Sequence, residues 1–221
     1  MFVRYGSLGD LPERLAVFPL TGALLLPRGR LPLNIFEPRY LAMVDDAMRG
    51  TRLIGMIQPR TPEQLSQRPQ LYDVGCAGRL TSYEEADDGR LLITLTGVCR
   101  FRVFEELSVT TPYRQVQPDF AGFARDLLAE EPDNLENERA PLLACLRPYL
   151  AAQQMRADWA SVERAPIAQL IDTLSAICPF GPNEKQALLE AETVTTRAHT
   201  LTTLIAMANA DPPAGHEGPV Q

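Results

Sequence analysis

The chain has 221 residues, of which 45% are hydrophobic, 22% charged and 7% aromatic. That balance supports one large or two small folded domains, and it excludes wholesale disorder, collagen-like repeats and a small disulfide scaffold. A net charge of −7 argues against a surface built to track phosphates, and a single lysine (Lys185) with two histidines (His199 and His216) leaves few groups for acid–base chemistry, since arginine cannot serve as a general base near neutral pH.

The opening Met-Phe-Val-Arg-Tyr-Gly lacks the apolar core of a secretory signal, and apolar stretches such as 23–27 are too short to cross a bilayer. Strands are predicted at Leu15–Leu20, Leu53–Ile57, Ala77–Tyr83, Arg90–Thr96 and Cys99–Glu105, all short apolar runs bounded by Pro or Gly. Asp88-Gly89 between two of these runs marks a hairpin turn. Period-two alternation puts Ile93 and Leu95 on one face of their strand, and sets Arg100 and Arg102 opposite Cys99, Phe101 and Val103. One helix interrupts the strands: it opens on Pro38, carries Tyr40, Val44, Ala47 and Met48 at helical spacing, and stops at Gly50.

From Asp119 the pattern turns helical. Leu142, Leu143, Leu146, Tyr149 and Leu150 form one stripe after Pro141; Ile167, Leu170, Ile171, Leu174 and Ile177 form a second after Pro166. The run 178–182, with its prolines and glycine, breaks the chain, Asn183 caps a short helix, and Thr193 caps the last one through Leu201, Leu204 and Ile205. The tail 211–221 reads as disordered. The expected fold is therefore α+β, with a β-barrel subdomain at 14–118, a helical bundle subdomain at 119–210 and the tail beyond.

Catalytic signatures are missing from the text. There is no GxxxxGK[ST] and no GxSxG; Lys185 reads as a solvated helix lysine, His199 as an exposed or satisfied structural histidine, and His216 falls in the tail. The carboxylates Glu84, Glu85, Asp87 and Asp88 read as a solvated hairpin tip rather than a cation site. Cys76, Cys99, Cys145 and Cys178 never reach CxxC spacing and sit among apolar or small neighbours, as four buried thiols in a reducing cytoplasm would. The expectation is no catalytic residue, no metal and no cofactor.

The richest local text is Leu31-Pro-Leu-Asn-Ile-Phe-Glu-Pro-Arg-Tyr-Leu41. Its prolines impose extended backbone before the helix. Glu37 and Arg39 are charges in an apolar setting and require partners; Glu37 is expected to cap the helix and Arg39 to bond a neighbouring carbonyl or carboxylate.

This segment, with Phe18-Pro-Leu and Leu24-Leu-Leu-Pro27 before it, resembles the opening of the Lon protease N-terminal domain. Further blocks extend the resemblance over residues 14–208: Ile54-Gly-Met-Ile57, Gly75-Cys-Ala-Gly-Arg-Leu80, Asp88-Gly-Arg90, Leu95–Val103, Pro112-Tyr-Arg114, Pro179-Phe180 and Glu184–Glu190. The resemblance implies a PUA-like pseudo-barrel with one inserted helix, followed by a C-terminal helical bundle. In Lon this region recognises substrate proteins and helps assembly, while other domains hydrolyse ATP and cleave peptides. The sequence resembles a stand-alone bacterial form of the domain, and the family offers no catalytic residues here to transfer. The function implied is a non-catalytic protein-binding module, an adaptor or quality-control factor, with Leu33, Ile35, Phe36, Glu37, Arg39 and Tyr40 as candidate contacts. Its expected partners are unfolded or apolar polypeptide segments, with protease or chaperone components beside them, and neither membrane nor nucleic acid. The alternative is an RNA-binding PUA-like protein using Arg79, Arg90, Arg100, Arg102 and Arg114.

Overall fold

The computed structural model describes residues 5–61, 68–128 and 135–210, so the expected disordered tail lies outside the described residues. The chain forms a mixed α+β fold in two compact units, one spanning Met1–Glu131 with Cys178–Glu190 and the other Pro132–Ile177 with Ala191–Gln221.

The first unit is built on six strands: β1 (Leu15–Pro19), β2 (Arg30–Ile35), β3 (Leu53–Ile57), β4 (Val74–Glu85), β5 (Leu91–Glu106) and β6 (Arg114–Asp119). Their order is β2-β5-β4-β3-β1-β6, with β6 pairing back onto β5. Five strands therefore close a hydrogen-bonded ring, which removes the open edges that a flat sheet would expose. β1 runs parallel to β3, with Val17 opposite Gly55, and the other pairings are antiparallel. The sixteen-residue β5 serves two neighbours in turn: its first half carries β2, with Ile35 opposite Leu91, and its second half carries β6, with Arg102 opposite Asp119.

Three strand expectations change. Arg90–Thr96 and Cys99–Glu105 are one strand, because Gly97 continues the backbone instead of ending it. β2 and β6 were not anticipated as strands; the extended backbone expected around Pro32 is here an edge strand, paired among the described residues to β5 alone, where a proline is tolerated. Beyond β2, α1 (Pro38–Arg49) has the expected proline start and Gly50 end, and buries Tyr40, Met43, Val44 and Ala47.

Phe101 is fully buried among Leu15, Val17, Leu53, Ile57, Ala77, Cys99, Val116 and Phe120. Gly55 and Gly75 make room for it: a Cβ on Gly75 would stand 2.7 Å from the Phe101 ring, and one on Gly55 3.0 Å. On the opposite face of β5, Arg100 is only 4% exposed, because α5 (Pro182–Glu190) and the 3-10 segment Ala121–Leu127 cover that side of the strand.

α5 is docked by a buried amide network. Gln58 Oε1 accepts from Gly22 N (2.9 Å), while its Nε2 donates to Pro182 O (3.0 Å) and Gln186 Oε1 (3.1 Å). Gln186 Nε2 donates in turn to Val74 O (3.0 Å) and Glu190 Oε1 (2.7 Å). With every polar atom matched, burying both amides carries little penalty. These bonds make Cys178–Glu190 part of the strand unit, although a single change of pattern near residue 118 would put it with the other helices. Asn183 lies inside α5 rather than at its cap, and its Oδ1 accepts from the Tyr72 hydroxyl at 2.5 Å.

The second unit packs α2 (Glu136–Ala152), α3 (Trp159–Arg164), α4 (Ile167–Ile177) and α6 (Val194–Ala210). Leu142, Leu146, Ile171, Leu201 and Ile205 are fully buried within it. α2 begins a turn before Pro141 and carries both Pro141 and Pro148 inside. The short α3, capped by Asp158, was not anticipated, whereas Thr193 Oγ1 caps α6 by accepting from Thr196 N (3.1 Å) as expected. Arg197 and Asp172 pair at 2.8 Å with the arginine side chain 4% exposed.

Candidate functional site

The stretch from Leu31 to Tyr40 runs along β2, leaves the sheet at Phe36 and enters α1. Strand alternation followed by a helix start sends its side chains to different destinations. Ile35 (1% exposed) and Tyr40 (3%) belong to the core, Tyr40 with its ring centroid 4.3 Å from that of Phe18. Leu33 is half-buried opposite Ile93. Phe36 points into solvent at 63% exposure.

Glu37 and Arg39 find each other. Arg39 Nε donates to Glu37 Oε2 at 2.9 Å, and its guanidinium lies 4.4 Å from the Tyr40 ring centroid. Glu37 occupies the N-cap position, yet its side chain bonds no helix amide; its backbone carbonyl accepts from Tyr40 N and Leu41 N instead. The two side chains are 42% and 35% exposed, so the pair is screened rather than buried. Glu37→Gln and Arg39→Met are therefore expected to lower unfolding stability by less than about 1 kcal/mol each. A drop of several degrees in melting temperature would contradict this.

Groups that could do covalent chemistry are blunted. All four cysteines are free thiols. Burial raises Cys99 to about 12, with the Asp126 carboxylate adding to it, and Cys178 to about 11; it pushes Cys76 well up and Cys145 up as well. Cys145 is half-buried rather than buried as expected. Lys185 is also half-buried, not solvated, and burial lowers its amine below the usual lysine range. Within the second unit, His199 Nε2 lies 3.1 Å from Glu138 Oε2.

The arginines do not gather into a patch. Arg79 donates to the Tyr5 hydroxyl (3.2 Å), Arg90 pairs with Asp88 (2.6 Å), Arg100 with Asp126 (2.8 Å) and Arg114 with Glu106 (2.6 Å), leaving Arg102 exposed. Burial pushes the Glu106 carboxyl up, but hydrogen bonds from Arg114 and Arg68 outweigh it and hold it below the usual range. Two open clefts, ≈ 500 Å³ beside Glu13, Arg14 and Leu107 and ≈ 460 Å³ beside Tyr5, Arg28 and Val98, share no residue with Leu31–Tyr40.

A family model for the substrate-binding domain of ATP-dependent protease La (Lon) matches residues 14–207. The chain belongs to the Lon substrate-binding domain family. It is 26% identical over 204 residues to a Lon protease of Dictyoglomus thermophilum, covering 87% of this chain and 24% of that protein. To Lon protease 2 of Myxococcus xanthus it is 30% identical over 111 residues, covering 50% of this chain and 13% of that protein. The chain thus spans about a quarter of the length of the first of these relatives. Two solved structures share the fold. A Lon N-terminal domain protein from Xanthomonas campestris superposes with a TM-score of 0.60 at 20% identity, covering 86% of this chain and 97% of that one. The N-terminal domain of Lon protease from the Mycobacterium avium complex gives 0.64 at 18% identity, covering 87% and 98%. No helix among the described residues is long and apolar enough to cross a membrane.

Proposed function

We propose that this chain is a non-catalytic recognition module that binds apolar segments of unfolded polypeptides, working in the cytoplasm beside protease or chaperone components as an adaptor or quality-control factor. Its strand ring is read as a PUA-like pseudo-barrel and its second unit as the C-terminal bundle of the Lon N-terminal domain. The family match over residues 14–207, to a domain described by its binding of substrate, carries the reading. Phe36, solvent-exposed where β2 gives way to α1, supplies the kind of apolar contact such binding needs. Leu33, Glu37 and Arg39 border it, while the buried Ile35 and Tyr40 position the segment rather than touch a partner.

The test is a fluorescence anisotropy titration of a labelled, net-neutral unfolded polypeptide and of an RNA oligomer, each at low and high salt. Saturable polypeptide binding in the micromolar range, about −8 kcal/mol or weaker, is expected, with little response to salt. RNA binding that collapses as salt rises, with no polypeptide binding, would overturn the reading.

A further inference from the structure

The outer edge of β2 is an unfinished ladder. Among the described residues β5 is its only strand neighbour. In an antiparallel pair, residues that exchange backbone bonds alternate with residues whose amides and carbonyls turn the other way. Two bonds fix the phase here. Gly97 N donates to Gly29 O at 2.9 Å just before β2, and Ala86 N donates to Arg90 O at 2.8 Å in the hairpin on the far side of β5. Both place the amides and carbonyls of Leu91, Ile93 and Leu95 toward β2. Leu31, Leu33 and Ile35 therefore bond β5, while Arg30, Pro32 and Asn34 turn their backbone groups outward. No described residue bonds those groups. Pro32 stands where the β5 ladder needs no amide, leaving outward the N–H and C=O of Arg30 and Asn34 and the C=O of Pro32.

The two faces of the strand differ. Leu31 and Leu33 are half-buried, opposite the buried Leu95 and Ile93. Arg30, Pro32 and Asn34 are exposed on the other face, since residues directly opposite one another on antiparallel strands share a face. Arg30 stands in a row with Thr96 and Arg79, Pro32 with Thr94 and Ser82, and Asn34 with Leu92 and Glu84. Charge on this face therefore changes sign along β2, with two arginines at the Arg30 end and Glu84 two strands away at the Asn34 end. Arg79 donates to the Tyr5 hydroxyl at 3.2 Å, whereas Arg30, on the edge itself, forms no ion pair among the described residues.

We propose that β2 is completed by an extended polypeptide segment running antiparallel to it, alternating polar, apolar, polar, apolar and polar, with an acid as the last residue. The polar residues lie opposite Asn34, Pro32 and Arg30 in turn, donate their N–H groups to those three carbonyls, and bring the acid beside Arg30. The apolar residues lie next to Leu33 and Leu31 and extend the apolar side of the sheet. A second copy of the chain is the poorer occupant, because two-fold pairing centred on Pro32 brings two prolines together and forms no central bond. This rests on the polypeptide-binding reading above and adds to it a place, a backbone conformation and a side-chain pattern.

The experiment titrates the full chain into a labelled, end-blocked peptide with Thr-Val-Thr-Val-Glu at its centre, read by fluorescence anisotropy. N-methylation of the threonines and the glutamate removes the donors aimed at β2 and is expected to weaken binding about tenfold or more. N-methylation of the valines, whose amides face solvent, should leave affinity within about twofold. Lysine in place of the peptide's glutamate should weaken binding about threefold at low salt, and Arg30→Glu should reverse that preference. Asn34→Pro removes an outward amide but no bond to β5, so it should weaken binding about tenfold at an unchanged melting temperature. If that variant melts early, the two methylation patterns decide alone. Equal losses from both patterns, no loss from either, or loss from the valine pattern alone would overturn the proposal. So would an unreversed charge preference, unchanged affinity in a stable Asn34→Pro chain, or dimerisation that Asn34→Pro abolishes, which would give the edge to a second copy. If this peptide fails to bind while the unfolded polypeptide of the titration above binds, the edge site falls and polypeptide recognition stands; if neither binds, both fall.

Discussion

Arg100→Met is expected to lower the stability of the strand unit by about 3–5 kcal/mol. The guanidinium is held on three sides. Its Nε donates to Asp126 Oδ2 (2.9 Å), Nη2 to Asp126 Oδ1 (2.8 Å) and Nη1 to the Leu189 carbonyl (3.1 Å), and its plane lies 4.8 Å from the Phe123 ring centroid. The backbone amide of Arg100 adds a further bond to Asp126 Oδ2 at 2.9 Å. The two side chains are 5% and 8% exposed, so water cannot replace the missing partner cheaply. Methionine fills much of the volume but leaves the Asp126 carboxylate with one amide and no counter-charge. Losing the arginine also removes one link from β5 to both the end of α5 and the 3-10 segment. Arg100→Met with Asp126→Leu should recover much of the loss, because a buried ion pair roughly breaks even against a packed apolar pair. Urea unfolding followed by far-UV circular dichroism is the measurement. Trp159, the only tryptophan, sits on α3 of the other unit, so its fluorescence would miss the effect. A midpoint within error of the parent chain would contradict the clamp.

What the sequence shows and what it hides divide along the range of the interactions. The bounds of α1 were legible, because Pro38, Gly50 and the apolar stripe through Tyr40 and Val44 are all local signals, although Met43 rather than the expected Met48 completes its buried face and Glu37 does not cap it through its side chain. The hairpin between β4 and β5 was legible for the same reason, through Asp88-Gly89. β2 and β6 were missed: backbone around Pro32 was expected to be extended but not paired, and that a proline-bearing segment can pair there depends on its lying at the sheet edge, a fact of topology. Arg100 was legible as pointing away from Phe101, but its burial depends on Leu189, 89 residues later in the chain. The candidate contacts from Leu33 to Tyr40 are consecutive in the text and so looked like one surface. Alternation along β2 and the start of α1 separate them, with Ile35 and Tyr40 inside and Phe36 outside. The row joining Asn34, Leu92 and Glu84 could not be read at all. It depends on a register shift in β4 between Leu80 and Ser82, which moves every later side chain relative to β5.

Gly97→Ala should cost about 3 kcal/mol, more than an alanine usually costs in a strand. A Cβ there would lie 2.0 Å from the Leu26 carbonyl oxygen, 2.8 Å from its carbon and 3.2 Å from Pro27 Cα. These are backbone atoms, so no rotamer change relieves the overlap. The segment cannot slide away either: Arg28 N donates to Gly97 O at 2.8 Å, and Gly97 N donates to Gly29 O at 2.9 Å. The methyl must therefore break these bonds or lift Leu24, Leu25 and Leu26, which are 4%, 2% and 2% exposed. Partial loss of burial from leucines worth about 2 kcal/mol each accounts for the size of the effect. Gly122→Ala is the matched control, because nothing lies within 4 Å of a Cβ at that position. It should unfold with the parent chain. Hydrogen exchange on the Arg28 and Gly97 amides locates the damage: both should lose protection in Gly97→Ala and keep it in Gly122→Ala. If Gly97→Ala unfolds at the parent midpoint with both amides still protected, the close crossing of the leucine segment over β5 does not hold this part of the fold in place.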